Sequence, residues 1–167
     1  MASSAIRIIG VDPGLRHTGW GVIDLCGARL SFVASGCVRS QSADSMGARL
    51  RQLHEGLREV IQSYSPGEAA IEETFVNRDP QSALKLGQAR GVALTVAALS
   101  GLEIEEYAAN LVKKTVVGNG HAEKAQIAMM VRVLLPASYA ASRDAADALA
   151  VAICHAQHRD ARRRQSA

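Results

Sequence analysis

A chain of 167 residues with 48% apolar and 21% charged side chains is long enough to bury one core and has no low-complexity block. Its apolar runs are far shorter than a membrane span, and "MASSAIRIIG" lacks the charged, apolar and cleavage regions of a signal peptide, so a cytoplasmic protein is expected. The net charge of +3 does not by itself argue for nucleic acid: Arg159, Arg162, Arg163 and Arg164 against Asp160 account for all of it, leaving 15 basic and 15 acidic residues upstream. The three cysteines, Cys26, Cys37 and Cys154, have no CxxC spacing and read as core or surface residues in a reducing compartment rather than as a metal site or disulfide frame.

In chain order, "IRIIGVD" (6–12) is a short apolar run that stops at Pro13-Gly14, a buried strand ending in a turn. "TGWGVIDL" (18–25) and "RLSFVASGCVRS" (29–40) read as two further strands in a meander. From Met46 to Tyr64 the apolar residues Leu50, Leu53, Leu57, Val60, Ile61 and Tyr64 recur at three and four, which predicts an amphipathic helix ending at Pro66-Gly67. "EAAIEETF" (68–75) is a fourth strand. Asp79 before Pro80 is a cap followed by a first-turn proline, and the helix it starts runs to about Ser100, with Gly101 as its stop. "EIEEYAAN" (103–110) reads as a fifth strand, with Asn110 capping a short helix, "LVKKTVV". After the loop "GNGHAEK" a helix runs to Pro136, and "SRDAADALAVAICHA" (142–156) supplies the last one. The order predicts an α/β fold, a mixed five-stranded sheet flanked by helices, in a single domain over 1–158. Residues 159–167 are expected to form a basic, disordered, solvated tail.

Carboxylates stand where burial is expected. Asp12 ends the first apolar strand, Glu72 and Glu73 follow Ala69, Ala70 and Ile71 in the fourth, and Asp144 and Asp147 open a helix rich in alanine. Each has a plain reading: a turn residue before Pro-Gly, an anion favoured at a helix N-terminus, an outward-facing strand position. Strand alternation sends one of Glu72 and Glu73 inward without saying which. One cause covers all three places. Parallel strands lie about 4.8 Å apart, and helical residues three apart share a side. If strands one and four are neighbours and the last helix crosses their ends, the acids converge. Converging like charges raise one another's pKa unless a cation neutralises them. An all-oxygen set favours Mg²⁺ or Mn²⁺, and two such ions suit phosphodiester cleavage.

The blocks "GVDPGLRHTGWGV", "AIEETF", "SALKLGQARGVAL", "EYAANLVKKTVVGNGHAEKAQ" and "DAADALAVA" resemble, in order and spacing, those of the RuvC family of Holliday-junction resolvases. They cover the chain from about residue 6 to 156. The resemblance implies a ribonuclease H-like fold, and a structure-selective endonuclease that resolves four-way DNA junctions by paired symmetric nicks in homologous recombination and DNA repair. It places the catalytic, metal-binding acids on Asp12, Glu72, Asp144 and Asp147, with Mg²⁺ as cofactor, Mn²⁺ substituting, and two ions per site. It assigns DNA contacts to Phe75, Arg78, Lys113 and Lys124; on their own, the ring reads as core and the cations as solvated charges. It also implies a homodimer and the RuvA and RuvB branch-migration proteins as partners. The nearly apolar helix 81–100 could serve the dimer interface or be buried within one subunit. "DPGLRHTGWGV" also resembles the first phosphate loop of actin-like and sugar-kinase ATPases, but those enclose a nucleotide between two such domains, and 167 residues are too few.

Overall fold

In the computed structural model, which describes residues 5–73, 79–138 and 141–166, the first three strands are β1 (Ile6–Asp12), β2 (His17–Cys26) and β3 (Arg29–Arg39). They form the expected antiparallel meander, with Gly27 at φ 60° in the tight β2–β3 turn, a left-handed conformation that glycine adopts without a Cβ penalty. Helix α1 (Met46–Tyr64) follows, its first turn capped by the Ser45 hydroxyl, which accepts from the Ala48 amide. β4 (Glu68–Glu73) then pairs parallel to β1, so the sheet grows on its other side. Helix α2 (Pro80–Leu99) starts where the Asp79 carboxylate accepts from the Gln81 amide, and β5 (Glu103–Ala108) closes the order β3-β2-β1-β4-β5.

Strand alternation divides the apolar residues between two layers. Ile9, Val11, Ala69 and Ile71 face α1 and α2, packing on Leu57, Ile61, Ala93 and Val96. Ile8, Ala70 and Tyr107 face the other way, toward α3 (Ala109–Val117), α4 (Lys124–Leu134) and α5 (Arg143–Ser166). The alanines of α5 have a structural cause: Ala145, Ala146, Ala148, Ala150 and Ala152 are all buried, and the helix lies almost on the sheet. Glycines make room for it. A Cβ on Gly10 would fall on the carbonyl oxygen of Ala148, and one on Gly19 on that of Asp144. Gly10→Ala should therefore lower stability by roughly 1–3 kcal/mol, as overpacking against backbone does. An unchanged urea midpoint in that variant would mean that α5 stands farther from β1.

Two expectations are corrected. Helix α3 begins at Ala109 rather than after Asn110, and its cap, Ala108, makes no side-chain bond. The tail expected to be disordered from residue 159 instead continues α5 through Ser166. Arg159, read as a solvated charge, is 7% exposed and pairs with Glu68, Nη2 lying 2.6 Å from Oε1. Glu68 also meets Nε2 of His155 at 2.7 Å, and Nδ1 of that ring lies 2.8 Å from the Tyr107 hydroxyl. The arginine is held by a partner 91 residues upstream.

Candidate active site

Because β1 and β4 run parallel side by side, their C-terminal ends share one edge of the sheet. Asp12 is the last residue of β1. On β4, Ala70 packs toward α5 and Glu68 meets His155 of α5, so two-residue periodicity turns Glu72 to the same side and Glu73 to the α2 side. That settles geometrically the choice that spacing left open. Asp12 and Glu72 share a hydrogen bond. The close approach that Gly10 and Gly19 permit brings the first turns of α5 to this edge, where Asp147 joins them. Lys124 opens α4, whose start is fixed by a reciprocal cap between Glu123 and Gln126. Its Nζ lies 3.2 Å from Asp147 Oδ2. Asp12, Glu72, Asp147, Lys113 and Lys124 line one cleft of about 210 Å³.

Asp12 and Glu72 do not ionise as ordinary carboxyls. Burial, then the negative charge of Asp12 and the shared hydrogen bond, pushes Glu72 up to about 8. Burial also pushes Asp12 up to about 6, with Asp147 and Asp144 adding to the rise while the bond from Glu72 and the charge of Lys124 oppose it. Between about pH 6 and about 8, with no metal bound, this pair of desolvated acids holds one proton. Lys124 is itself held above its ordinary pKa, chiefly by Asp147. Several anionic oxygens, crowded, partly buried and without a thiol or imidazole among the cleft's lining residues, fit a hard divalent cation, which would replace that proton.

This has a consequence for stability. Acids whose folded pKa is raised hold protons that the unfolded chain has released, so their contribution is full below the ordinary carboxylate range and is lost as pH rises through about 6 and then about 8. In chelator, the melting temperature should fall between pH 5 and 9. Glu72→Gln should flatten that slope, and a bound divalent cation should reverse most of the loss. A chelated parent as stable at pH 9 as at pH 5 would refute the arrangement.

Of the acids singled out from sequence, Asp12, Glu72 and Asp147 meet in the cleft, while Asp144 stands on its β2–β3 side. Asp144 is 43% exposed rather than buried. Its Oδ2 lies 4.0 Å from His17 Nδ1 and 4.0 Å from Cys37 Sγ, neighbours that sequence reasoning did not assign to it. Only the β2–β3 register, which sets Cys37 opposite Gly19, brings them there. Lys113 and Lys124 line the cleft wall. Phe75 and Arg78 lie outside the described residues.

Two parallel strands added to a three-stranded antiparallel meander, with helices on both faces, make the ribonuclease H-like architecture. A family model described as "Crossover junction endodeoxyribonuclease RuvC" matches residues 8–155. The chain belongs to that family. It is 70% identical over 162 residues to the Methylocella silvestris crossover junction endodeoxyribonuclease RuvC, covering 97% of this chain and 92% of that one. The Beijerinckia indica protein of the same description is 64% identical over 159 residues, 95% and 91% of the two chains. Among solved structures, Thermus thermophilus RuvC in complex with a Holliday junction substrate superimposes with a TM-score of 0.83 at 33% identity, covering 90% of this chain and 93% of that one. A yeast mitochondrial Holliday junction resolvase shares the fold at a TM-score of 0.66 and 11% identity.

Proposed function

We propose that this chain is a divalent-metal-dependent endonuclease that resolves four-way DNA junctions by paired nicks in strands of like polarity, in recombination and repair. The observation that carries the reading is the cleft in which Asp12, Glu72 and Asp147 crowd together beside Lys113 and Lys124, in a chain of the RuvC family. Asp12, Glu72, Asp144 and Asp147 are the residues to hold Mg²⁺, two ions per site with Mn²⁺ substituting. Bound there, the ions supply activation of the attacking water and stabilisation of the departing 3′ oxygen. The chain's own part is positioning. The β1–β4 pairing fixes Asp12 against Glu72, the ion pair to Lys124 orients Asp147, and both lysines offer charge to the phosphates flanking the scissile bond.

Phe75 and Arg78 follow directly on the strand that bears Glu72 and are proposed as junction contacts, the ring stacking on an unpaired base for about 1–3 kcal/mol. Phe75→Ala should slow resolution by roughly tenfold or more at an unchanged melting temperature. Binding and cleavage equal to the parent would make the ring structural.

A two-fold junction needs two cuts, which an isologous dimer of this unit supplies; Leu84 and Leu99, exposed on α2, support that helix as an apolar contact. Association with RuvA and RuvB and a cytoplasmic site of action complete the reading, and among the described residues no helix is long and apolar enough to cross a membrane. The nuclease unit is taken as residues 1–158, with α5 extending past it. The test is one gel: a labelled four-way junction incubated with the protein, with and without Mg²⁺. Symmetric nicks that need Mg²⁺ support the proposal. Intact junction with Mg²⁺ present, or equal cleavage of linear duplex, overturns it.

A further inference from the structure

His17, Cys37 and Asp144 come from β2, β3 and the first turn of α5, and their donor atoms converge on one point beside the acidic cleft. Nδ1 of His17 lies 3.7 Å from Sγ of Cys37, and each is 4.0 Å from Oδ2 of Asp144. The placement follows from sheet geometry. His17 and Gly19 share the face under α5, Cys37 is the cross-strand partner of Gly19, and the missing Cβ of Gly19 lets the Asp144 backbone descend onto that spot. A tetrahedral ion with bonds of about 2.0–2.3 Å to nitrogen, oxygen and sulfur sets those atoms roughly 3.3–3.6 Å apart. The His17–Cys37 separation of 3.7 Å nearly matches, while the two 4.0 Å separations to Asp144 are longer and close by a small rotation of its exposed carboxylate. The imidazole and carboxylate are 37% and 43% exposed, so an ion can enter from solvent and keep a water as fourth ligand.

We propose that His17, Cys37 and Asp144 form a second metal site, specific for zinc-class ions, whose occupation withdraws Asp144 from the nuclease site and inhibits cleavage. The donor set separates the two sites chemically. Thiolate and imidazole favour Zn²⁺ over Mg²⁺, whereas the cleft of Asp12, Glu72 and Asp147 offers oxygen alone. Asp144 is common to both, so a zinc ion that fixes its carboxylate toward β2 and β3 competes with its use on the cleft side. Arg39, a hydrogen-bond neighbour of the Cys37 sulfur, remains available to a metal-bound thiolate as an outer donor. The inhibitory half rests on the proposed nuclease reading; the site itself does not.

Cobalt(II) reports the site without DNA. Added to the full-length chain, Co²⁺ should give a thiolate-to-cobalt charge-transfer band and the intense visible bands of tetrahedral coordination, both displaced by Zn²⁺. Cys37→Ser should abolish the charge-transfer band. His17→Gln should raise the Co²⁺ and Zn²⁺ concentrations needed by about 10–100-fold, as loss of a ligand or its support does. Cys26→Ser, at an exposed thiol elsewhere, should change neither. Cleavage of a labelled junction at fixed Mg²⁺ is then compared with and without Zn²⁺ inside each variant, so that differences in their own rates cancel. Zn²⁺ should suppress the parent, and about tenfold more should be needed for His17→Gln. Absence of a thiolate band, or its survival in Cys37→Ser, overturns the site. A band with cleavage indifferent to Zn²⁺ overturns the inhibitory role. A parent that shows the band yet never cleaves with Mg²⁺ contradicts the nuclease reading and leaves the site supported.

Discussion

Asp12→Asn should bind a labelled four-way junction as the parent does and nick it about a thousandfold more slowly. The substitution keeps the shape of the side chain and removes its charge at the edge where β1 and β4 run together. A metal ligand contributes several kcal/mol of charge stabilisation in the transition state, and each ~1.4 kcal/mol is a factor of ten in rate, so the loss of about 4 kcal/mol gives the stated factor. A mere folding defect predicts the opposite on a second readout. In the parent, Glu72 is pushed up to about 8 first by burial and then by the charge of Asp12. The Asp12→Asn variant lacks that charge, so in chelator it should lose less stability than the parent as pH rises to 8. A variant that is inactive, junction-binding and relatively more stable at pH 8 in chelator fits only a charge role. Full cleavage by Asp12→Asn in Mg²⁺ would remove this residue from the chemistry.

How far the sequence announces such a site depends on whether the interaction is local. Alternation in β1 to β3, the apolar repeat of α1 and the Asp79-Pro80 start of α2 are properties of neighbouring residues, and the structure has these elements within a residue or two of the expected bounds. The convergence of Asp12 and Glu72 needed one non-local fact, that β1 and β4 are neighbours, and the short apolar strands with acids at their ends made it a reasonable conjecture. Choosing Glu72 over Glu73 needed a second fact, that Ala70 faces α5; family resemblance stood in for it. The turn of Asp144 toward His17 and Cys37 was out of reach, because it depends on the β2–β3 register and on how closely Gly19 lets α5 descend. Local reasoning also failed at Asn110, where a good capping residue stands but the helix starts one residue earlier without it.

The last turns of α5 show the same limit with the largest energetic stake. Four arginines after residue 158 read as a solvated tail, yet Arg159 is buried against Glu68 at the start of β4, at the opposite end of that strand from Glu72. Burial raises the cost of the Glu68 carboxylate, but the hydrogen bonds from Arg159 and His155 outweigh it and hold its pKa below the ordinary range. Burial also lowers the pKa of His155, against the pull of Glu68, so at neutral pH the guanidinium is the main counter-charge. Arg159→Ala leaves a buried carboxylate without that cation and should cost roughly 3–5 kcal/mol, read as a lowered urea midpoint. The pair itself, by contrast, is not expected to be worth that much. Combining Glu68→Gln with Arg159→Met removes both charges, keeps an amide oxygen to accept from His155 Nε2, and should restore most of the loss, because replacing a whole buried pair by neutral groups is often close to neutral. Since the network anchors the helix whose other end carries Asp144 and Asp147, Arg159→Ala should also lower cleavage in proportion to the fraction unfolded, with the folded fraction cutting normally. If Arg159→Ala melts with the parent, the arginine is solvated in solution and α5 ends before it. If the double variant is as unstable as the single one, the guanidinium holds the helix through packing rather than charge.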